Sequence, residues 1–324
     1  MKAVICERHG PPESLRLIDL DIAPPGPGEV QVRIEACGIN FPDLLIIAGK
    51  YQEQPPLPFV PCGEVAGRIA TVGAGVDTFE VGDPVMAVTY TGGLAELVNA
   101  PVGQVYHRPA DMPARVAAGF PGVFGTSFHA LKQRAALQPG ETLLVLGAAG
   151  GVGHAAVQLG AAMGARVIAA AGSDAKLKPL RALGADETVN YRTMDLRESV
   201  KALTGGRGAD VVYDPVGGEL SDQAVRCINW NGRLLVVGFA SGTIPRIPAN
   251  LLLLKGISVT GVFFSRFEQE QPELARENMA ELTGLYQAGR IAPQVDRSYP
   301  LAQCADALRA LNERDIIGKV VVEI

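Results

Sequence analysis

The sequence lacks the features that mark membrane, secreted and nucleic-acid-binding proteins. None of its apolar runs reaches the roughly 18 uncharged residues of a membrane-spanning helix. The first ten residues, MKAVICERHG, contain no apolar core of a secretory signal, so the expected location is the cytoplasm. A net charge of −5 gives no electrostatic basis for binding nucleic acid or an anionic membrane, and neither partner is expected.

Cysteines and histidines form none of the usual disulfide or metal-binding patterns. The five cysteines are an odd total without a CxxC pair, so no disulfide framework is expected. The four histidines form no HExxH motif. Two stretches, ACGINFPD at 36–43 and PCGE at 61–64, nevertheless place a cysteine near a carboxylate, as half of a catalytic zinc site would. The sequence therefore raises the question whether Cys37 and Cys62 belong to a metal site.

Apolar patterns differ between the two parts of the chain. In residues 1–120, short alternating runs such as EVQVRIEACGI end at turns rich in glycine and proline, which is typical of a β-barrel-like domain. In residues 121–265, continuous Val, Leu and Ile runs alternate with helical patterns, which indicates a parallel sheet covered on both faces. Residues 266–324 add two helical stretches and a last strand, GKVVVEI. The predicted fold class is α/β.

The segment TLLVLGAAGGVGHAAVQLG at 142–160 places four clustered glycines between an apolar strand pattern and an alanine-rich helix pattern. Glycines permit a tight turn and let a pyrophosphate approach the free N–H groups at a helix N-terminus. A second strand pattern follows about 20 residues later, as in dinucleotide-binding folds. This context predicts a cofactor loop in which Ala149, Gly150, Gly151 and Val152 bind the dinucleotide.

The end of the second strand pattern favours NADPH over NADH. NAD sites place an acidic residue there for the ribose 2′-hydroxyl, whereas NADP sites supply cations and hydroxyls for the 2′-phosphate. Here the strand ends in GSDAKLK, so Ser173 and Lys176 are candidate phosphate ligands, together with the Tyr191 hydroxyl from the third strand. Asp174 is interpreted as a helix cap. A solvated helix face is the alternative interpretation of Lys176 and Lys178.

Several segments, in order along nearly the whole chain, are similar to zinc-free members of the medium-chain dehydrogenase/reductase superfamily. More specifically, they resemble the NADPH:quinone oxidoreductases of the zeta-crystallin type. The resemblance is carried by GINFPDLLIIAGKY (38–51), PPLPFVPCGEVAG (55–67), VGAGVDTFEVGDPV (72–85), FGTSFHAL (124–131), GAAGGVGHAAVQLG (147–160), GSDAKL (172–177), DPVGG (214–218) and GKVVV (318–322).

This resemblance implies two domains. One is a GroES-like β-barrel catalytic domain, residues 1–120, completed by residues 266–324. The other is a Rossmann domain, residues 121–265, which binds NADPH, with the active site between the two. It also implies a homodimer, for which the apolar segment SVTGVFF at 258–264 is the candidate edge strand.

Positions that hold zinc ligands in metal-bearing relatives carry other residues here. Asn40 stands in place of the first ligand, a cysteine, and Gly63 in place of the second, a histidine. The stretch 119–127, which would supply the third ligand, contains no cysteine. No zinc is therefore expected, and Cys37 is interpreted as a buried strand thiol. Cys62 stands where quinone reductases have glycine, and Gly63 is expected to take over the turn.

By the same resemblance, Asn40 and Thr126 face the nicotinamide, and Phe239 and Phe264 line its pocket. Plain core packing is the alternative for both phenylalanines. Tyr51 is the candidate that hydrogen-bonds the substrate oxygen or supplies a proton, and a surface-loop tyrosine is the alternative.

Three other polar residues near these motifs have simpler interpretations. Asp43 either orients Asn40 or the substrate, or is the N-cap of a helix. Glu64 lies next to zinc in metal-bearing relatives and is interpreted here as a structural hydrogen-bond acceptor. His154 is interpreted as a helix-surface residue.

Three functions remain open on the sequence. The leading hypothesis is an NADPH-dependent oxidoreductase that transfers hydride to a quinone without a metal. The first alternative is a reductase of enones, enals or enoyl thioesters on the same scaffold. The other is an NADPH-binding protein with little turnover. In the two reductase hypotheses the cofactor carries the chemistry, and the protein orients it and stabilises developing charge.

Overall fold

A computed structural model describes residues 1–313 and 316–324, and the chain divides into two compact units. The first unit contains Met1–Gly122 and Pro293–Ile324, and the second contains Val123–Ala292. The α/β fold class predicted from the sequence is confirmed. Within the described residues, no helix is long and apolar enough to cross a membrane.

The bounds of the elements are as follows. The strands are β1 (Lys2–Ile5), β2 (Arg16–Asp19), β3 (Glu29–Ile39), β4 (Glu64–Val72), β5 (Pro84–Val88), β6 (Leu97–Pro101), β7 (Val105–His107), β8 (Thr142–Val145), β9 (Arg166–Ala171), β10 (Glu187–Asn190), β11 (Ala209–Asp214), β12 (Ile228–Val236), β13 (Ser258–Gly261), β14 (Val295–Pro300) and β15 (Lys319–Glu323). The α-helices are α1 (Phe41–Ile47), α2 (Ala114–Ala117), α3 (Pro121–His129), α4 (Gly151–Ala162), α5 (Asp174–Leu177), α6 (Leu196–Leu203), α7 (Gly218–Arg226), α8 (Ala249–Lys255), α9 (Phe264–Glu270), α10 (Pro272–Gln287) and α11 (Cys304–Asn312).

The first unit is built on a mostly antiparallel sheet with the strand order β14-β15-β3-β4-β5-β7, and β6 pairs with β3. Its long strand β3 has alternating apolar side chains that pack into the unit's core with those of β4, β5 and β15. β15 pairs antiparallel with the end of β3, so that Val320 lies opposite Ile39. This pairing brings the C-terminal strand beside the start of α1.

The second unit contains a six-stranded parallel sheet in the order β10-β9-β8-β11-β12-β13. Its central strands are continuous apolar runs, and all four residues of β8 are buried, as expected for a sheet covered on both faces. Numbered within the sheet, this is the order 3-2-1-4-5-6, which reverses between β8 and β11. In such sheets ligands bind at the carboxyl ends of the strands near the reversal.

The segment 266–292 packs in the second unit, whereas the sequence assigned it to the first. The buried face of α10 includes Asn278 and Met279, and the Gln133 side chain donates to Asn278 Oδ1 at 2.9 Å. The backbone N–H of Ala292 donates to Gln158 Oε1 at 2.6 Å. A helical pattern shows that a segment forms a helix but not which sheet it covers, and these long-range contacts decide it. Of the C-terminal part predicted to complete the first unit, only the segment that begins at Pro293 belongs to that unit.

Candidate functional site

The predicted cofactor loop connects β8 to α4 in the second unit. Gly147 has a φ of +56°, and a Cβ at Gly153 would lie 2.3 Å from the Gly147 carbonyl oxygen. Glycine is therefore required at both positions, the first for its backbone conformation and the second for close approach. Gly150 is the N-cap of α4, so the loop ends on the free N–H groups of a 12-residue helix. A pyrophosphate fits this arrangement of N–H donors and helix dipole.

A buried hydroxyl pair fixes the first turn of α4. Ser127 Oγ lies 2.9 Å from the carbonyl oxygen of Val152 and 2.9 Å from Tyr213 OH, and so connects α3, α4 and β11. Burial raises the pKa of Tyr213 well above its usual value, so the phenol stays protonated. No local sequence pattern indicates this pair, because its members are 86 residues apart. Thr126, a predicted nicotinamide contact, precedes Ser127 and is half-buried.

Cationic side chains and side chains with hydroxyl groups lie near the carboxyl ends of β9 and β10. A Cβ at Gly172 would lie 3.2 Å from Arg192 Nε and 3.5 Å from Tyr191 OH. Ser173 is the N-cap of α5, and Lys176 follows within this helix, half-buried. The predicted set of Ser173, Lys176 and Tyr191 thus comes from adjoining elements, and the sequence interpretation overlooked Arg192.

The interpretation of Asp174 as a helix cap is wrong. Ser173 occupies the N-cap position of α5, and Asp174 is the first helical residue. Its carboxylate instead accepts a hydrogen bond from Asn190 Nδ2 at 3.0 Å, which ties α5 to the end of β10. This bond leaves the ends of the two strands in a fixed arrangement around Gly172.

The two predicted pocket phenylalanines are both half-buried and lie against glycines of the second unit. A Cβ at Gly217 would be 3.1 Å from the Phe239 ring, and one at Gly125 would be 2.5 Å from the ring of Phe264. The loop that carries Gly217 is held by the buried carboxylate of Asp214, which accepts the Gly217 N–H at 2.9 Å. These contacts are packing contacts, and a role of either ring toward a cofactor stays a prediction.

In the first unit, Asn40 belongs to a buried polar cluster with Glu64 and Lys319. Asn40 Nδ2 donates to Glu64 Oε2 at 2.8 Å, and Lys319 Nζ donates to Asn40 Oδ1 at 2.7 Å. Lys319 Nζ also donates to Glu64 Oε2 at 2.9 Å. Glu64 Oε1 accepts the backbone N–H of Gly122 at 2.7 Å. Glu64 is therefore a structural acceptor, as interpreted from the sequence, whereas Lys319 was not singled out there.

Asp43 lies beside this cluster in the first turn of α1. Asn40, not Asp43, is the N-cap residue, and the Asp43 carboxylate accepts the Asn40 backbone N–H at 2.7 Å. The N-cap alternative for Asp43 is thus wrong, and the carboxylate is the reciprocal member of the cap. Burial raises the pKa of Asp43 to about 6, although the hydrogen bond from Asn40 and the charge of Lys319 oppose the shift.

Tyr51 follows α1 in a turn and is half-buried. Burial is the main cause that raises the pKa of its phenol, and the negative charges of Glu53 and Asp43 add to the shift. The hydroxyl is therefore protonated at neutral pH and available as a donor. This state is compatible with the predicted donor role, which stays a prediction.

The residues around Asn40 do not fit a zinc ion. The ammonium of Lys319 is hydrogen-bonded to Asn40 and Glu64, and a cation there is incompatible with a second cation on the same oxygens. In the two described ranges, no group of three or more His, Cys, Asp and Glu side chains could hold a metal. Cys37 is a buried thiol of β3, as interpreted from the sequence.

Two further expectations are corrected. Gly63 does not take over the turn, because Cys62 itself has the left-handed backbone conformation, with a φ of +61°. Gly63 is needed instead for close approach, since a Cβ there would lie 2.3 Å from the Tyr90 backbone nitrogen. His154 is not on the surface: it is buried, with its Nδ1 3.1 Å from Gln158 Nε2, and burial lowers its pKa to about 4.

Comparisons with known proteins agree with these local arrangements. Residues 26–125 match the alcohol dehydrogenase GroES-like domain, and residues 151–281 match the zinc-binding dehydrogenase family. A quinone oxidoreductase-like protein 2 homolog from Nematostella vectensis is 39% identical over 300 residues, which are 92% of this chain and 82% of the relative. Human quinone oxidoreductase is 33% identical over 311 residues, which are 95% of this chain and 92% of the relative.

A solved structure extends the similarity to three dimensions. Escherichia coli quinone oxidoreductase, in complex with NADPH, superposes with a TM-score of 0.93 at 30% identity, over the full length of both chains. The similarity therefore includes both units and the order of their elements. The chain belongs to the quinone oxidoreductase-like oxidoreductases of the medium-chain dehydrogenase/reductase superfamily.

Proposed function

We propose that the protein is an NADPH-dependent reductase that transfers hydride to a quinone without a metal. The observation that carries the proposal is the Asn40–Glu64–Lys319 cluster, in which a lysine ammonium occupies the oxygens that a metal ion would need. By the resemblance, Asn40 stands in place of the first zinc ligand. An unpolarised carbonyl needs a Lewis acid to accept hydride, whereas a quinone is already electrophilic. The cluster therefore favours an acceptor of the quinone type.

The second unit supplies the proposed cofactor site. The backbone of Ala149, Gly150, Gly151 and Val152 binds the pyrophosphate at the start of α4. When bound, NADPH supplies the hydride that reduces the quinone ring. As negative charge develops on the quinone oxygen, we expect the Tyr51 hydroxyl to donate a hydrogen bond or a proton to it. The Asn40 carboxamide, with Thr126, is expected to contact the nicotinamide.

The relatives support this assignment without deciding the substrate of the present protein. Two relatives are named quinone oxidoreductases, and one was solved with NADPH bound. The decisive experiment is NADPH oxidation by the purified protein with benzoquinone, naphthoquinone, an enone, an enal and crotonyl thioester. We expect turnover with the quinones. Reduction of only the enone, enal or thioester would establish the first alternative, and tight NADPH binding without any oxidation would establish a binding protein.

Cofactor preference tests the phosphate site separately. We expect Lys176→Ala and Arg192→Ala each to raise the Michaelis constant for NADPH about ten-fold and to change that for NADH less than about two-fold. Such a change corresponds to one charge-assisted hydrogen bond to the 2′-phosphate. The matched control is Lys178→Ala, which removes an exposed lysine two residues further along. Equal effects of the Lys176 substitution on the two cofactors would contradict the assignment.

A further inference from the structure

Lys319 is a charged residue at an almost fully buried position, with 5% of its surface exposed. It begins β15, whose next three residues are buried valines. Its three N–H donors are matched by three acceptors: the carbonyl oxygen of Ile39 at 3.0 Å, Asn40 Oδ1 and Glu64 Oε2. The ammonium is therefore saturated inside the protein and has no donor left for a substrate.

Stability alone does not explain this buried pair. The desolvation of Lys319 and of Glu64, which is 2% exposed, offsets much of their attraction, and apolar pairs of similar size are often as stable. The buried Lys319–Glu64 pair is therefore expected to act on the group that both charged side chains contact. That group is the carboxamide of Asn40.

The two charges hold the Asn40 carboxamide in the same orientation as the capping box of α1, in which the Asn40 side chain also accepts from the backbone of Asp43. An amide has a donor end and an acceptor end of nearly equal size, so packing alone hardly distinguishes its two orientations. Lys319 can only donate and the carboxylate of Glu64 can only accept, so Oδ1 must face the lysine and Nδ2 the glutamate. Glu64 is itself fixed by the N–H of Gly122, and Lys319 by the carbonyl of Ile39. One N–H of Asn40 Nδ2 is left over, in a defined direction.

We propose that Lys319 is a positioning residue, which acts on the reaction by fixing the orientation of the Asn40 carboxamide. This inference rests on the proposed function, in which Asn40 contacts the nicotinamide. Lys319 lies 279 residues from Asn40 along the chain and touches neither hydride donor nor acceptor in this role. If the carboxamide rotates by 180°, its oxygen takes the place of the N–H that contacts the nicotinamide. Misplaced contacts at a reacting centre cost up to about a hundred-fold in rate.

A double-mutant cycle tests the proposal through Asn40. We expect Lys319→Met to lower kcat for quinone reduction by about ten- to a hundred-fold, with the Michaelis constant for quinone changed less than about three-fold. In an Asn40→Ala background the same substitution should change kcat less than about two-fold, because the group on which Lys319 acts is gone. Effects that multiply independently would overturn the proposal.

A charge-neutral variant separates positioning from mere neutralisation of Glu64. Lys319→Met with Glu64→Gln removes both charges and should recover the unfolding midpoint of the wild type. Its kcat should stay low, because a glutamine both donates and accepts and no longer fixes the amide. Recovery of kcat together with stability would overturn the proposal. If Lys319→Met alone fails to fold, this variant replaces it in the cycle with Asn40→Ala.

The orientation of the Asn40 carboxamide can also be measured without any enzymatic reaction. This measurement therefore tests the inference separately from the proposed function. In protein with isotope-labelled asparagine, the Asn40 side-chain resonances are identified by their loss in Asn40→Ala. We expect one slowly exchanging amide proton in the wild type and fast exchange in the charge-neutral variant. If the wild type reduces no quinone, the proposed function fails, and this experiment still decides whether Lys319 fixes the amide. Equal exchange in both proteins would overturn it.

Discussion

Asp43 is a buried carboxyl group whose protonation is linked to folding. Its pKa is raised from 3.8 to about 6, mainly by burial. Lys319, Glu64, Cys62 and Tyr51 are charged or titratable groups that interact with it. Because the folded state binds the proton more tightly than the unfolded state, Asp43 stabilises the fold below about pH 4. This contribution is lost as the pH rises through about 6.

This linkage gives a prediction for Asp43→Asn. Between about pH 4 and 7, the free energy of unfolding of the variant should gain about 2 kcal/mol relative to the wild type. The asparagine side chain keeps an oxygen that can accept the Asn40 N–H, so the cap of α1 is retained. Denaturant unfolding at a series of pH values measures the difference. The exposed residue Asp222, changed to asparagine, reports the background, and a difference independent of pH would contradict the assignment.

The site residues show which parts of the site local sequence patterns predict and which they do not. Asn40 was found from the sequence because it lies in a recognisable stretch, GINFPD, next to residues that it contacts. Lys319 was quoted only as part of a strand, and its partner Glu64 is 255 residues away. The one available signal was a lysine at the start of an otherwise apolar strand, GKVVVEI. Such a lysine indicates a buried partner but does not identify it.

At the scale of elements, the β8–α4 connection is determined by short-range sterics, and its order of strand, glycine turn and helix was predicted from the sequence. The predicted helix followed the glycines, whereas α4 begins at Gly151, within them. The helix α10 was predicted as a helix, but its unit was not, and α9 (Phe264–Glu270) was not predicted at all. The Gln133–Asn278 hydrogen bond that places α10 joins residues 145 apart. Periodicity within a helix gives its buried face and carries no information about the sheet that covers it.

The glycine loop gives a steric prediction. Gly153→Ala would put a Cβ 2.3 Å from the Gly147 carbonyl oxygen, and the backbone must move to relieve this contact. We expect a loss of about 1–3 kcal/mol in the free energy of unfolding and a large loss of NADPH affinity. Thermal unfolding and fluorescence titration with NADPH measure the two effects.

The matched control lies three residues earlier in the same loop. A Cβ at Gly150 would come no closer than 3.5 Å to the Gly147 oxygen, and its φ of −75° suits any residue. Gly150→Ala should therefore leave the stability of the cofactor-free protein within about 0.5 kcal/mol of the wild type. Equal destabilisation by both alanines would show that the loop tolerates no side chain for a reason other than this contact.

At the scale of the whole molecule, β13 is the feature that suggests self-association. It lies at one edge of the parallel sheet and pairs on its other side with β12. Val259 on this strand is 38% exposed, and Phe263 just beyond it is 46% exposed. An edge strand with exposed apolar side chains is a template for pairing with another chain. We propose that two copies pair through this edge, as the resemblance implied.

Val259→Lys tests this pairing, because a lysine on an edge strand opposes association with a second edge. We expect light scattering after size exclusion to give the mass of a dimer for the wild type and of a monomer for the variant. Val81→Lys is the control, since Val81 is an exposed valine, at 69%, in a loop of the first unit. It adds the same charge and should leave the dimer intact. A monomeric wild type, or a dimer that persists in Val259→Lys, would contradict pairing at β13. If the Val259 variant keeps its NADPH affinity as a monomer, the cofactor site of the second unit is complete within one copy.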